Sequence, residues 1–195
     1  RQALTLALTG TAESKLSQTA DRTALVALPD MGPSPGIRTY NASLMGLYLL
    51  AIRLGEVRSR LKPSDAAALR EELLDLAGDM ESTLSVSEQV AEAAVAFTKD
   101  ANKMMFVGSG PSYGSALFCA AKVVEASGVL AVGQDLEEWS HVERYAHPAD
   151  LSDMPLFIIA PPGRSYSRAV ELASLAKTLG RRVIAIVAED DQDLS

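Results

Sequence analysis

Lys103-Met104-Met105-Phe106-Val107-Gly108-Ser109-Gly110-Pro111-Ser112-Tyr113-Gly114-Ser115-Ala116 is the stretch whose reading decides the fold. Met104 to Val107 is an apolar run short enough for a buried parallel strand. Gly108, Gly110 and Pro111 then force a turn. From Ser112 apolar residues return at helical spacing, at Ala116, Leu117, Ala120, Ala121 and Val124. Strand, glycine turn and helix N-terminus in that order aim backbone N–H groups and the positive helix end at one spot, which suits an anion. Ser109, Ser112 and Ser115 add hydroxyl groups there. The stretch reads as a phosphate or phosphosugar site, with Ser109, Gly110 and Ser112 as binding residues.

Other readings use the same letters. The glycines run G-x-G-x-x-x-G, with Tyr113 where a dinucleotide fingerprint needs its third glycine, so NAD is disfavoured. No G-K-[ST] follows, so there is no nucleotide P-loop. Gly110-Pro111-Ser112-Tyr113-Gly114 also spells G-x-S-x-G between strand and helix, the context of a hydrolase nucleophile elbow. That mechanism needs an acid and then a histidine further on. His141 and His147, the only histidines, follow Ser112 too soon to leave room for the strand bearing the acid. A strand-turn-helix corner with no ligand is a further reading.

Composition narrows the classes. In 195 residues the chain can bury one good core or parts of two. Its 48% apolar and 22% charged residues are those of an ordinary soluble globular protein. A net charge of −7 without a Lys/Arg run makes nucleic acid and anionic membrane poor partners. Cys119 is the lone cysteine, so no disulfide framework exists, and inside a helix it reads as a small buried hydrophobe. No signal peptide or membrane span is visible, and the expected location is cytoplasmic. With two histidines, no C-x-x-C and no H-E-x-x-H, neither a metal nor another cofactor is expected. Without an initiator methionine, the chain reads as part of something longer.

Taken in order, Leu4–Leu8 and Thr23–Leu28 read as strands flanking a short helix around Glu13–Ala20. The Pro/Gly-rich run 29–36 excludes regular structure. Thr39 is the expected N-cap of a helix to about Arg58, with Leu44, Leu47, Leu50 and Ile52 inward. Two more helices follow, from Pro63 to about Leu84 and from Ser85 to Thr98, the last with Val90, Ala93, Ala94 and Phe97 inward. Beyond the opening stretch come strands at 129–132, 156–160 and 183–187, a short polar helix from Asp135 to about Glu143, and a helix from Ser165 to Leu179. Strands alternating with helices, apolar on both faces, predict a parallel-sheet α/β/α sandwich with right-handed crossovers. Leu4–Ser17 and Val183–Ser195 also share a pattern of strand, polar turn and Leu-Ser, which reads as an internal repeat.

This layout resembles the double sugar-isomerase (SIS) domain family, with its flavodoxin-like fold. The family includes the isomerase half of glucosamine-6-phosphate synthase and the fructosamine-phosphate deglycases. Gly108–Tyr113 looks like the family's first phosphosugar loop, ending Ser-Tyr. Gly36-Ile37-Arg38-Thr39-Tyr40 looks like the segment closing the first SIS domain, which makes Thr39 a substrate-binding candidate. Glu138-Trp139-Ser140-His141 looks like the Glu-x-x-His stretch in which a glutamate transfers the proton. The resemblance implies the C-terminal part of a first SIS-like domain in 1–59, linking helices in 60–100, and most of a second SIS domain in 101–195, its C-terminal strand missing. It also implies a sugar phosphate as ligand and a homodimer.

Two departures stand out. Pro161-Pro162-Gly163-Arg164-Ser165 occupies the place of the family's S-x-S-G-x-T phosphate loop, and Val142-Glu143 replaces a common Gly-Pro after His141. By analogy the principal phosphate loop lies upstream of Arg1.

Aldose–ketose exchange moves a proton between neighbouring carbons, which needs a carboxylate within reach of both and a group that opens the ring. Glu138 is the expected base and His141 the acid or ring-opener. At i, i+3 on a helix they share a face. Glu137 and Glu143 are expected to face elsewhere or to be solvated, and Trp139 to pack. Two functions remain open: an isomerase, aminotransferase or deglycase acting on a hexose or amino-hexose phosphate, and a sugar-phosphate-binding module without turnover.

Overall fold

The computed structural model describes residues 3–30, 32, 36–145 and 153–194. His147 and part of the 29–36 run lie outside the described residues. The chain divides into two units, 1–88 and 89–195.

In the first unit, β1 (Leu6–Thr9) and β2 (Arg22–Leu25) pair in parallel around the short helix α1 (Lys15–Thr19). The helix α2 (Ile37–Val57) follows. Its Gly46 permits close approach to the strands, because a Cβ there would come within 2.7 Å of the Val26 side chain. The α2–α3 corner is held by Leu61 packed over Gly55, by the Arg60 N–H donating to Gly55 O, and by Arg70 donating to both Glu56 oxygens. Of the expected inward set on α2, Ile52 is buried but Leu47 is half exposed. The helix presents more apolar surface than its own unit covers.

The two helices expected at 63–84 and 85–98 form one, α3 (Pro63–Thr98). Nothing at Leu84-Ser85 interrupts the ladder: no proline intervenes, and Ser85 and Ser87 turn their hydroxyls back onto Ser82 O and Leu84 O. Val90 and Phe97, expected inward, are instead exposed and line a groove with Val183 and Ile184.

The second unit carries the predicted parallel sheet. Its strands are β3 (Lys103–Gly108), β4 (Leu130–Asp135), β5 (Leu156–Ile159) and β6 (Val183–Ile186), in the order β4-β3-β5-β6. All neighbours run parallel. Helix α4 (Pro111–Ser127) connects β3 to β4. Helix α5 (Leu136–His141) and a 3₁₀ turn (Glu143–Tyr145) follow β4, and α6 (Tyr166–Thr178) connects β5 to β6.

Side-chain alternation along β3 explains why its whole run is apolar. Phe106 packs with Ala116 and Ala120 of α4 and stacks on Phe157, ring centroids 4.5 Å apart. Met105 and Val107 face the other way, into a core with Leu136, Trp139, Ala169 and Leu172 from α5 and α6. Cys119 packs at the edge of the Phe106 cluster, and burial pushes its thiol pKa up, as expected of an inert cysteine.

Candidate functional site

The strand order locates the site. From β3 the chain crosses to β4 on one side, then returns to lay β5 on the other side of β3. The order therefore reverses between β3 and β5, and the crevice beyond their carboxyl ends is where open α/β sheets hold ligands. A cleft of about 390 Å³ lies there, lined by Ser109, Gly110, Pro111 and Ser112 after β3 and by 161–165 after β5. Helices α4 and α6 both begin at this cleft, so two positive helix ends meet in it.

The glycine turn has definite backbone demands. Gly110 is the N-cap of α4, with φ 58° and ψ −126°, a conformation that only glycine adopts readily, and Pro111 is the first helical residue. At Gly108 the demand is space: a Cβ would lie 2.4 Å from Ser112 O. Gly108→Ala should therefore push the turn off its strand and cost about 1–3 kcal/mol of stability, read in thermal denaturation.

Ser112 is the second residue of the helix rather than its cap. Its N–H donates to Ser109 O, and the Tyr113 N–H donates to Gly110 O. Two N–H groups expected to await an anion are thus used within the turn. The hydroxyls of Ser109, Ser112 and Ser165 make no hydrogen bond among the described residues. They are hydroxyls left for a ligand, beside Arg164 in the same lining. Thr39 belongs to the other unit. It is the third residue of α2, capped by Gly36, and its hydroxyl donates to Gly36 O at 2.9 Å.

Glu138 and His141 lie on α5, whose N-cap Asp135 accepts from the Glu137 N–H at 2.9 Å. Neither is among the residues lining the cleft. Glu138 is exposed, and its carboxylate has no partner among the described residues. The carboxylate beside His141 is not Glu138 but Glu137, an exposed charge contact with Nε2 3.2 Å from Oε1. Trp139 between them is fully buried in the α5–α6 core, as expected of a packing residue. The Arg181 guanidinium lies over its ring, 5.6 Å from the centroid, and donates to Glu143 O. Burial pulls the Arg181 pKa down.

Glu137, expected to be idle, is the most engaged carboxylate of the unit. Arg168 of α6 donates Nε–H and Nη2–H to its two oxygens, each at 2.8 Å, and binds Glu171 through Nη1 at 2.7 Å. These hydrogen bonds, with the Arg168 and His141 charges, hold the Glu137 carboxyl below its ordinary 4.5. A carboxyl depressed in the folded state stabilises it above the unfolded pKa, and that contribution fades as pH falls through the folded value. Thermal melts between about pH 6 and about pH 3 should accordingly show wild type losing more stability than Glu137→Gln. Arg168 was not legible as a partner, because the pair joins two helices 31 residues apart. Only the i, i+4 spacing of Glu137 and His141 was available as a signal.

Comparison with known proteins follows the same lines. The SIS domain family matches residues 98–195, just over half of the chain. The glutamine–fructose-6-phosphate aminotransferase (isomerizing) of Agrobacterium fabrum is 28% identical over 186 residues, covering 94% of this chain and 30% of that protein. The Aquifex aeolicus enzyme of the same name is 32% identical over 170 residues, covering 84% of this chain and 26% of that protein. The chain thus spans less than a third of these relatives' length. Among solved structures, the C-terminal domain of glucosamine-fructose-6-phosphate aminotransferase from Francisella tularensis superposes with TM-score 0.82 at 18% identity, over 94% of this chain and 50% of that one. Tagatose-6-phosphate ketose/aldose isomerase from Escherichia coli does so with TM-score 0.67 at 16% identity, over 97% and 50%. These structural likenesses establish the fold, and the family match covers the whole β3–β6 sheet with its cleft: the chain belongs to the SIS domain family.

Proposed function

We propose that the chain binds a hexose or amino-hexose phosphate and serves its aldose–ketose isomerisation, as part of an isomerase, an aminotransferase or a deglycase. The carrying observation is the cleft at the β3/β5 switch point, where two helix N-termini converge with three serine hydroxyls that make no hydrogen bond among the described residues. The phosphate sits there on Ser109, Gly110 and Ser112. Thr39, in the first unit, is a further substrate-binding candidate. Glu138 transfers the proton and His141 opens the ring. A carboxylate already committed to an arginine fork, such as Glu137, is a poor base, and Glu138 carries no such commitment.

Three wider readings go with this one. Residues 1–59 are the C-terminal part of a first SIS-like domain, which the parallel β1–β2 pair and the greater length of the relatives support. The helices of 60–100 link it to the domain of 101–195. The protein is a cytoplasmic homodimer, in line with the exposed apolar side chains of α2. Among the described residues no helix is long and apolar enough to cross a membrane.

Titration calorimetry with fructose 6-phosphate and with fructose tests the binding step. The phosphate ester should bind and the free sugar should not. A hydrogen bond to a charged group contributes about 1.5–3 kcal/mol, so Ser112→Ala should weaken binding about 10- to 100-fold. Equal affinity for both sugars would refute the phosphate cleft. A second reading, sugar-phosphate sensing without turnover, is favoured by the position of Glu138 off the cleft and by the prolines at 161–162. Binding with no isomerase activity, in wild type and in Glu138→Gln alike, would establish it.

A further inference from the structure

Arg164 is the one ionisable side chain among the described residues that line the cleft beyond β3 and β5. It makes no hydrogen bond or ion pair among the described residues. A chain with net charge −7 has carboxylates to spare for pairing, and Arg70 and Arg168 each take one. Arg164 keeps its charge for the cleft. We propose that Arg164 is the charge-recognising residue of this cleft, holding the ligand's phosphate from the β5 turn while Ser109 and Ser112 hold it from the β3 turn. The inference rests on the phosphosugar reading of the cleft and adds the group that supplies the counter-charge.

The backbone makes such a group necessary. Pro161 and Pro162 have no N–H, so the β5 turn cannot wrap an anion in amides as a glycine-rich loop does. Across the cleft, the Ser112 and Tyr113 N–H groups are spent inside the β3 turn. Ser165, the N-cap of α6, makes no capping bond, which leaves its hydroxyl uncommitted beside Arg164. A phosphate ester carries about −1.5 to −2 charges at neutral pH, and hydroxyls offer only dipoles to meet it. A guanidinium adds a full positive charge and a planar fork that matches two phosphate oxygens.

The acidic groups nearby in the sequence do not cancel that charge. Asp190, Asp191 and Asp193 line a separate hollow that shares only Pro162 and Gly163 with the cleft. Asp191 is taken up there by the Tyr166 hydroxyl and by the N–H groups of Asp193 and Leu194.

The test is titration calorimetry on the full chain with inorganic phosphate and with fructose 6-phosphate, at fixed ionic strength. Arg164→Gln should weaken both about 10- to 100-fold, the range for hydrogen bonds to a charged group. Arg164→Lys should recover part of the loss, since it keeps the charge without the fork. Lys177→Gln removes the same charge from the exposed last turn of α6 and should stay within about twofold of wild type. Melting temperatures should match wild type throughout, because neither side chain has a partner to lose among the described residues. Arg164→Gln binding as wild type does, or Lys177→Gln losing as much, overturns the proposal and leaves the phosphosugar reading standing on the serines. If Arg164→Gln loses inorganic phosphate as expected while fructose 6-phosphate does not bind wild type, the sugar reading falls and the anion site at Arg164 stands. A wild type that binds neither ligand ends both.

Discussion

Trp139→Ala is expected to lower the chain's stability by about 3–5 kcal/mol, the usual cost of removing a large aromatic side chain from a core. Trp139 has no exposed surface and packs among Leu136, Leu156, Ile158, Ala169 and Leu172, with the Arg181 guanidinium over its ring. Neighbours from β5, α5 and α6 cannot all collapse into the space, so most of the cavity would remain. Domains are stable by only about 5–15 kcal/mol, so the substitution removes a large part of the total. For a unit near 100 residues each kcal/mol moves Tm by about 4–8 °C, which puts the expected drop well above 10 °C. Trp139 is the only tryptophan, so its fluorescence reports unfolding in wild type, and circular dichroism must serve for the variant. Trp139→Phe should lose much less. A variant melting within a few degrees of wild type would mean that α5 does not depend on this anchor.

Glu138→Gln carries the largest expected effect on chemistry. Glutamine keeps the shape but cannot accept a proton, and positioned acid–base groups contribute about 10²- to 10⁴-fold to turnover. Isomerisation of a hexose phosphate should fall by that factor while calorimetric affinity for fructose 6-phosphate stays within about twofold, because the phosphate is held elsewhere. Stability should hardly change, since Glu138 is exposed and unpartnered among the described residues. Unchanged turnover would remove Glu138 as the base. A drop in affinity equal to the drop in rate would make it a binding residue instead.

Much of the second unit was legible from local pattern. The run 104–107 is apolar at every position because both faces of β3 are covered, and no helix of that length needs such a run. Gly108 and Gly110 mark the corner for two separate reasons, space at the first and backbone conformation at the second. The helices after β3 and β5 announced themselves by period. The helices α2 and α3 were less legible. Apolar residues at helical spacing on α2 and α3 predicted an inward face, yet Leu47, Val90 and Phe97 are exposed. Periodicity reports that a stripe exists and is silent on what covers it. The boundary expected near Leu84-Ser85 failed because serines placed inside a helix can bond their own turn instead of ending it.

The sequence by itself determined the strands, their parallel class and the glycine corner, because each follows from side-chain period and backbone sterics within a few residues. Only the tertiary structure decided which carboxylate is free and which is bound. Glu137 and Glu138 are neighbours with the same local context, and what separates them is Arg168, reaching from another helix. Strand order likewise placed the 161–165 turn beside Ser109 and Ser112, closing the cleft. Both depend on contacts between residues distant in the chain, and no local pattern encodes those.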